Sequence, residues 1–125
     1  MLNNFSLSQI KLLDGILLER QKTNLTYLMK LQNDNLLQAY YHEAGLFHPW
    51  DYKGILHGGW ESIHSSIRGH FTGHFLSAAS MLYQSTNDPE IKAKVEKIVQ
   101  ALEKCQTENG GEWVSPFPEK YLPPR

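Results

Sequence analysis

The stretch that decides the fold runs from residue 70 to residue 105: HFTGHFLSAASMLYQST, then NDP, then EIKAKVEKIVQALEKC. Apolar residues recur at spacings of three and four in both arms, which predicts a helix on each side of the NDP turn. They are Phe71, Phe75, Ala78, Ala79, Leu82 and Tyr83, then Ile91, Val95, Ile98, Leu102 and Cys105. Between the arms, Asp88 suits the N-cap and Pro89 the first helical position of the second helix.

The turn of Asn87 to Pro89 is so short that it predicts an antiparallel helix hairpin. The first helix, His70 to Thr86, spans about 25 Å at 1.5 Å per residue, and the second is of similar length. The start of the first helix and the end of the second therefore lie at one end of the pair. This places the loop before His70 beside the tail that follows Asn109.

The rest of the chain predicts two further helices. One runs from Leu7 to Leu31 with Gly15 in its middle, and Asn33-Asp34-Asn35 breaks the chain and caps a short helix from Leu36 to Glu43. Residues 45–69 show no sustained period and predict a long loop, whose aromatic content argues against disorder. The tail, residues 112–125, holds four prolines and is expected to be extended. We expect an all-α fold of four helices with no sheet.

Composition excludes several classes of function. The net charge of -1, with both signs mixed along 125 residues, offers no basic surface for nucleic acid. No apolar run approaches the roughly 18 to 20 residues that cross a membrane. The start of the chain lacks a secretory signal pattern. Cys105 is the single cysteine, so neither a disulfide within the chain nor a thiolate metal cluster is available. A reducing, cytoplasmic setting is expected.

The histidines mark the candidate site, because all six lie between His42 and His74. The hairpin brings the residues on either side of Arg68 to the same end as Phe117 and its neighbours in the tail. Aromatic planes stack on the C–H faces of sugars, while imidazoles, arginine and carboxylates bind hydroxyls, so carbohydrate is the expected ligand. The predicted substrate-binding residues are His70, Trp60, Glu61, Arg68, His74, Trp113 and Glu119.

Each of these residues has a structural alternative. His70 and His74 lie four apart on one helical face, a spacing that suits a metal, a sugar contact or a bond to neighbouring loops. No glutamate follows His70, which excludes the H-E-x-x-H mechanism, and no metal is assigned. Trp60 and Glu61 form a site wall or anchor the loop over the helix ends, and Arg68 binds a ligand oxygen or a carbonyl. Since nothing fixes the separation of Glu61 from Glu119, that pair is not assigned as catalytic.

The sequence also resembles a known family. Gly-Gly-Trp-Glu at 58–61 and Arg-Gly-His-Phe-Thr-Gly-His-Phe-Leu-Ser-Ala-Ala-Ser-Met-Leu-Tyr at 68–83 are similar to the N-terminal part of the beta-L-arabinofuranosidase family, glycoside hydrolase family 127 and its relatives. Shorter pieces agree in order along nearly the whole chain, from Leu13-Leu-Asp-Gly to Phe117-Pro-Glu. The segment Gly-His-Phe-Thr-Gly-His-Phe-Leu-Ser-Ala is the specific part.

The resemblance implies an (α/α)6 barrel that carries out retaining hydrolysis. It implies a cysteine nucleophile in a cysteine-rich zinc site and a glutamate as acid/base, both downstream of this region in the family. Cys105 matches a helix-borne Cys-Gln of the family and not the nucleophile. No catalytic residue and no cofactor are therefore assigned to this chain, zinc belongs to the full-length domain, and whether the chain alone is an enzyme stays open.

Length sets the remaining expectation, because twelve barrel helices cannot come from about four. We expect residues 1–125 to be a truncated N-terminal portion of the catalytic domain, built of antiparallel helix hairpins as a partial (α/α)6 barrel. Its function would be one wall of the sugar site in a hydrolase of beta-L-arabinofuranosides. Its partners would be carbohydrate and either the remainder of the parent domain or a second copy. The alternative is a non-enzymatic helical module for self-association or partner binding.

Overall fold

The computed structural model describes residues 4–47 and 56–121. They form four α-helices: α1 (Ile16–Lys30), α2 (Asn33–Glu43), α3 (His70–Thr86) and α4 (Pro89–Glu108). Three single 3-10 turns, at Leu7–Gln9, Gly59–Glu61 and Glu119–Tyr121, accompany them. No strand occurs in these two ranges, so the prediction of an all-α chain with four helices is confirmed.

The α3–α4 hairpin has the predicted boundaries. Asn87 closes α3 in the left-handed region at φ 56°, and Pro89 is the first residue of α4. The Oδ1 atom of Asp88 accepts hydrogen bonds from the amides of Glu90 and Ile91 at 2.9 and 3.0 Å. These bonds pair two of the amides that the start of a helix leaves without an internal partner. Local signals therefore determine the turn, and α3 packs along α4.

The first half of the chain differs from the prediction. α1 begins at Ile16 and not at Leu7, because Gly15 precedes it at φ 151°, a conformation that favours glycine. The separate turn at Leu7–Gln9 is closed by the amide of Ser6, which donates to the Gln9 side chain at 2.8 Å. α2 begins at Asn33, three residues earlier than expected, with Gln32 as its N-cap. The predicted break at residues 33–35 is thus the first turn of a helix.

The predicted loop and tail contain short turns. Part of the loop, residues 48–55, lies outside the described residues, and its later part holds the 3-10 turn Gly59–Glu61. The tail was expected to be extended throughout, but Glu119–Tyr121 forms a 3-10 turn in which the Tyr121 amide donates to the Pro118 carbonyl. Residues 122–125 of the tail lie outside the described residues.

One core joins all four helices. α4 contacts each of the other three, and α3 contacts α1 and α2. The buried residues of this core are Leu28, Leu36, Leu37, Phe75, Ala79, Leu82, Ile91 and Ile98. Cys105 is fully buried, as its place on the apolar stripe predicts, and burial raises the pKa of its thiol.

A lysine from α4 fastens the junction of α1 and α2. The Nζ atom of Lys94 donates to the Leu31 carbonyl and to Oδ1 of Asn33, the latter at 2.8 Å. Partial burial lowers the pKa of the Lys94 ammonium, because desolvation penalises its charged form. The two hydrogen bonds hold the end of α1 and the start of α2 against α4.

An exposed apolar segment precedes α1 and includes its first two residues. This apolar arm comprises residues 5–17, and its exposed members are Phe5, Leu7, Ile10, Leu12, Leu13, Ile16 and Leu17. Leu13 is 85% exposed, whereas the turn at Leu7–Gln9 contacts α3, and a groove of about 400 Å³ is lined by part of the arm and by Ala78, Met81 and Leu82 of α3. None of the helices in the described ranges combines the length and the apolar character needed to cross a bilayer.

Candidate functional site

A cleft of about 440 Å³ opens where α1 ends, α3 begins and the turn at Gly59–Glu61 lies between them. Its walls combine apolar and aromatic side chains with imidazoles and one carboxylate. The lining residues are Tyr27, Leu31, His57, Gly58, Trp60, Glu61, His70, Phe71 and His74. An aromatic-rich concavity with a few polar groups is a usual form of small-molecule site.

Glu61 binds the N-terminus of α3 with its side chain. Oε2 accepts a hydrogen bond from the Gly69 amide at 2.8 Å, and Oε1 accepts one from the Phe71 amide at 2.9 Å. The residue is 9% exposed, so its charge is compensated mainly by these amides and by the positive end of the helix dipole. Since Gly69 and Phe71 flank His70, the carboxylate fixes the backbone that carries that imidazole.

Two buried side chains of α2 hold the loop that carries Glu61. Nε2 of Gln38 donates to the carbonyls of His57 at 3.0 Å and Glu61 at 2.9 Å. Oδ1 of Asn35 accepts from the His57 amide at 3.0 Å. These two polar residues, three apart in an otherwise apolar part of α2, were not identified as site residues from the sequence. Their spacing on the buried face of a helix is the signal that marks them.

Arg68 joins the loop to α2 and to the tail. Its Nε donates to the Pro116 carbonyl at 2.6 Å, and its Nη2 pairs with Oε1 of Glu43 at 2.8 Å. Its guanidinium also lies 4.8 Å from the centre of the Phe117 ring. Both charged side chains are nearly buried, at 13% and 11% exposure. The predicted proximity of the loop and the tail is therefore observed here, and Arg68 binds a carbonyl, one of its two predicted roles.

Gly69 allows the close approach of this loop to the tail. Its φ is +78°, and a Cβ built at this position would lie 2.5 Å from the Cβ of Pro116. Its carbonyl accepts a hydrogen bond from the Tyr40 hydroxyl at 3.3 Å. Burial raises the pKa of Tyr40, and the nearby Glu61 charge raises it further. Only a residue without a Cβ fits this position.

His70 and His74 contact each other along the exposed side of α3. Their Nε2 atoms are 2.9 Å apart, and their rings meet edge to face with centroids at 4.5 Å. A hydrogen bond at this distance requires that one imidazole donates and the other accepts. Both residues are exposed and line the cleft, so their imidazoles are accessible from it.

The structure brings four of the seven predicted residues into this cleft: Trp60, Glu61, His70 and His74. Arg68 lines a neighbouring cavity of about 310 Å³ with His70, Pro116 and Phe117. Trp113 is half-buried and Glu119 is exposed, and neither lines these two cavities. Their roles as ligand contacts stay predictions.

Residues 9–121 match the family model described as Beta-L-arabinofuranosidase, GH127 catalytic domain. The match covers most of the chain, so the chain belongs to this family of glycoside hydrolases. The comparison with curated proteins gave no match.

The zinc that this family implies does not fit the residues described. Within residues 4–47 and 56–121, no group of three or more His, Cys, Asp or Glu side chains is placed to hold a metal ion. Cys105 is a core residue with no exposed surface. Its burial raises the pKa of the thiol and so disfavours the thiolate form that binds metals. No step of the reaction is assigned to zinc on this chain.

Replacing Gly69 with alanine should destabilise the protein by about 2–4 kcal/mol. The new Cβ would combine a left-handed backbone with a clash against Pro116. Gly73→Ala is the matched control, because Gly73 lies in α3 with open space at its Cβ, and this change should stabilise the helix by about 0.5–1 kcal/mol. Urea unfolding followed by far-UV circular dichroism measures both. Equal effects of the two substitutions would contradict the close approach of the loop and the tail.

Proposed function

We propose that this chain forms one wall of the sugar site in a glycoside hydrolase that acts on beta-L-arabinofuranosides. In this proposal the chain is the N-terminal portion of the (α/α)6 catalytic domain, and further helices of the parent protein supply the nucleophile and the acid/base. Membership of the family supports the reaction class. The arrangement of the cleft supports the role of this portion.

The observation that carries the proposal is an exposed tryptophan that lines the same cleft as the paired imidazoles. Trp60 is 74% exposed and lines the cleft, although so large an apolar side chain is usually covered. Its neighbour Glu61 is held by two amides, so the turn that carries the indole is anchored. An exposed aromatic plane on an anchored turn suits the C–H face of a furanose ring, and an indole has only two side-chain torsions to order on binding.

The imidazoles supply the polar half of the site. His70 and His74 together offer ring nitrogens that donate to or accept from sugar hydroxyls. Glu61 binds two backbone amides with its carboxylate oxygens and so holds the turn that carries Trp60. In this proposal the imidazoles bind the ligand directly, while Arg68 positions the loop.

The cleft by itself does not contain the groups that cleave a glycosidic bond. Glycosidases of the common kind use two carboxyl groups on either side of the scissile bond. Glu61 is the one carboxylate among the described residues that line the cleft, and backbone amides occupy both of its oxygens. This agrees with a supporting wall whose catalysts come from elsewhere in the parent domain.

Substituting Trp60 with alanine should weaken the binding of methyl beta-L-arabinofuranoside about tenfold, a change of about 1.4 kcal/mol. The measurement is isothermal titration calorimetry on the intact parent protein. Phe5→Ala, at an equally exposed aromatic of the apolar arm, should leave the affinity unchanged. Wild-type affinity in the Trp60→Ala variant would remove Trp60 from the site. A purified parent that releases no sugar from any aryl arabinofuranoside would overturn the reaction class.

The exposed apolar arm favours a second candidate, a helical module that binds a copy of itself. Seven large apolar side chains between Phe5 and Leu17 are exposed, and a groove adjoins them. An exposed apolar patch of this kind is typical of a surface that a partner covers. In the first proposal the same arm packs against the remaining helices of the parent domain.

Light scattering on the 125-residue chain distinguishes the two candidates. A self-association module predicts a defined dimer that Leu13→Glu converts to monomer. Leu13 is 85% exposed in the single chain, and a glutamate at this position would have to bury its charge in the dimer interface. Lys11→Glu, in the same arm, controls for added negative charge and should leave the dimer intact. A monomer at all concentrations would eliminate the second candidate.

A further inference from the structure

The two imidazoles of α3 have a geometry that a hydroxyl ligand does not require. The Nε2 atoms of His70 and His74 lie 2.9 Å apart, on residues that are one helical turn apart. Both residues are exposed, which leaves solvent-facing space around the two rings. Two neutral imidazoles with Nε2 atoms this close can bind one metal ion together, as a bidentate ligand.

The separation of the nitrogens matches a defined coordination angle. Imidazole nitrogen binds transition metals at about 2.0–2.1 Å, so two ligands at a right angle stand about 2.9–3.0 Å apart. A tetrahedral angle would require about 3.4 Å. The distance of 2.9 Å, at which the two rings hydrogen-bond in this structure, is also the separation of two adjacent ligands on an octahedral or square-planar ion. Cu²⁺ and Ni²⁺ prefer such geometry and bind imidazole well.

We propose that His70 and His74 form a chelating site for a divalent transition-metal ion of the Cu²⁺ and Ni²⁺ class. On binding, the hydrogen bond between the two rings is lost, both protons reside on the Nδ1 atoms, and both Nε2 lone pairs turn toward the ion. The helix fixes the two Cα positions in advance, so the cost is limited to ring rotation. Zn²⁺, with its tetrahedral preference, requires the nitrogens to separate by about half an ångström.

The surrounding charges favour a cation here despite the nearby helix N-terminus. The positive end of the α3 dipole would repel a metal ion, but the Glu61 carboxylate lies directly on the Gly69 and Phe71 amides. Arg68 is neutralised by its ion pair with Glu43. The described residues that line the cleft include neither lysine nor arginine. Glu61 thus offsets the helix dipole at the start of α3, and no lysine or arginine among the described cleft residues opposes a cation.

The remaining coordination positions are open. In the described part of the chain no third His, Cys, Asp or Glu joins the pair, so water completes the coordination sphere. Two vicinal hydroxyls of a sugar would suit the same positions, and metal and free saccharide would then influence each other's binding. This last consequence rests on the proposed function, whereas the chelating site itself does not.

Titration calorimetry of the tag-free protein with NiCl₂, in the absence of saccharide, tests the site. The wild-type protein should bind one equivalent, and His70→Ala and His74→Ala should each weaken the affinity at least tenfold. His64→Ala is the matched control, because His64 is an exposed histidine on the preceding loop, and it should bind as the wild type does. Circular dichroism of each variant establishes that α3 is retained.

A second readout identifies the ligating residues. Paramagnetic Ni²⁺ should broaden the ring resonances of His70 and His74 together, and leave those of His42 and His64 sharp. Wild-type affinity in the His74→Ala variant, or the lack of saturable Ni²⁺ binding by the wild type, would overturn the proposal. Because no saccharide is present, neither result bears on the sugar site.

Discussion

The carboxylate of Glu61 on the amides of Gly69 and Phe71 is the contact on which the rest of the site depends. A helix start leaves several amides without partners, and here a residue eight positions upstream supplies the acceptor. That bond joins the turn carrying Trp60 to the helix carrying the imidazoles. The amide of Gln38 supports it from α2 by donating to the Glu61 carbonyl. Without the carboxylate, the Gly69 and Phe71 amides would lose their acceptor and the direct link between the two cleft walls would be lost.

Glu61 and Arg68 therefore hold backbone in place, and the exposed side chains that line the cleft include an indole and two imidazoles. Arg68 follows the same principle, since its guanidinium is divided between Glu43, Pro116 and the Phe117 ring. Removing one partner of such a nearly buried pair leaves an uncompensated charge, which costs more than the pair contributes. This division leaves Trp60 exposed on a turn whose backbone is anchored by the side chain of Glu61.

The parts of the fold predicted from the sequence are those specified by neighbouring residues. Asp88 and Pro89 set the α3–α4 turn locally, so its limits and the proximity of Arg68 to the tail followed. The predicted start of α1 was wrong because the apolar period continues on both sides of Gly15. The backbone conformation of Gly15 is not helical, so the helix begins only after it. Tyr27, Leu31 and His57 also line the cleft, but the sequence did not predict them as site residues. Their positions depend on tertiary packing of distant segments, which periodicity does not encode.

The most direct test of the central contact is the unfolding free energy of Glu61→Gln, compared with that of Glu119→Gln at an exposed position in the tail. Glutamine at 61 keeps the shape but can accept with one oxygen only, so one amide at the start of α3 loses its partner. Urea unfolding should show a loss of about 1–3 kcal/mol for Glu61→Gln and a change within about 0.5 kcal/mol for Glu119→Gln. Equal stability of the two variants would show that the carboxylate does not hold the helix, and would contradict this account of the site.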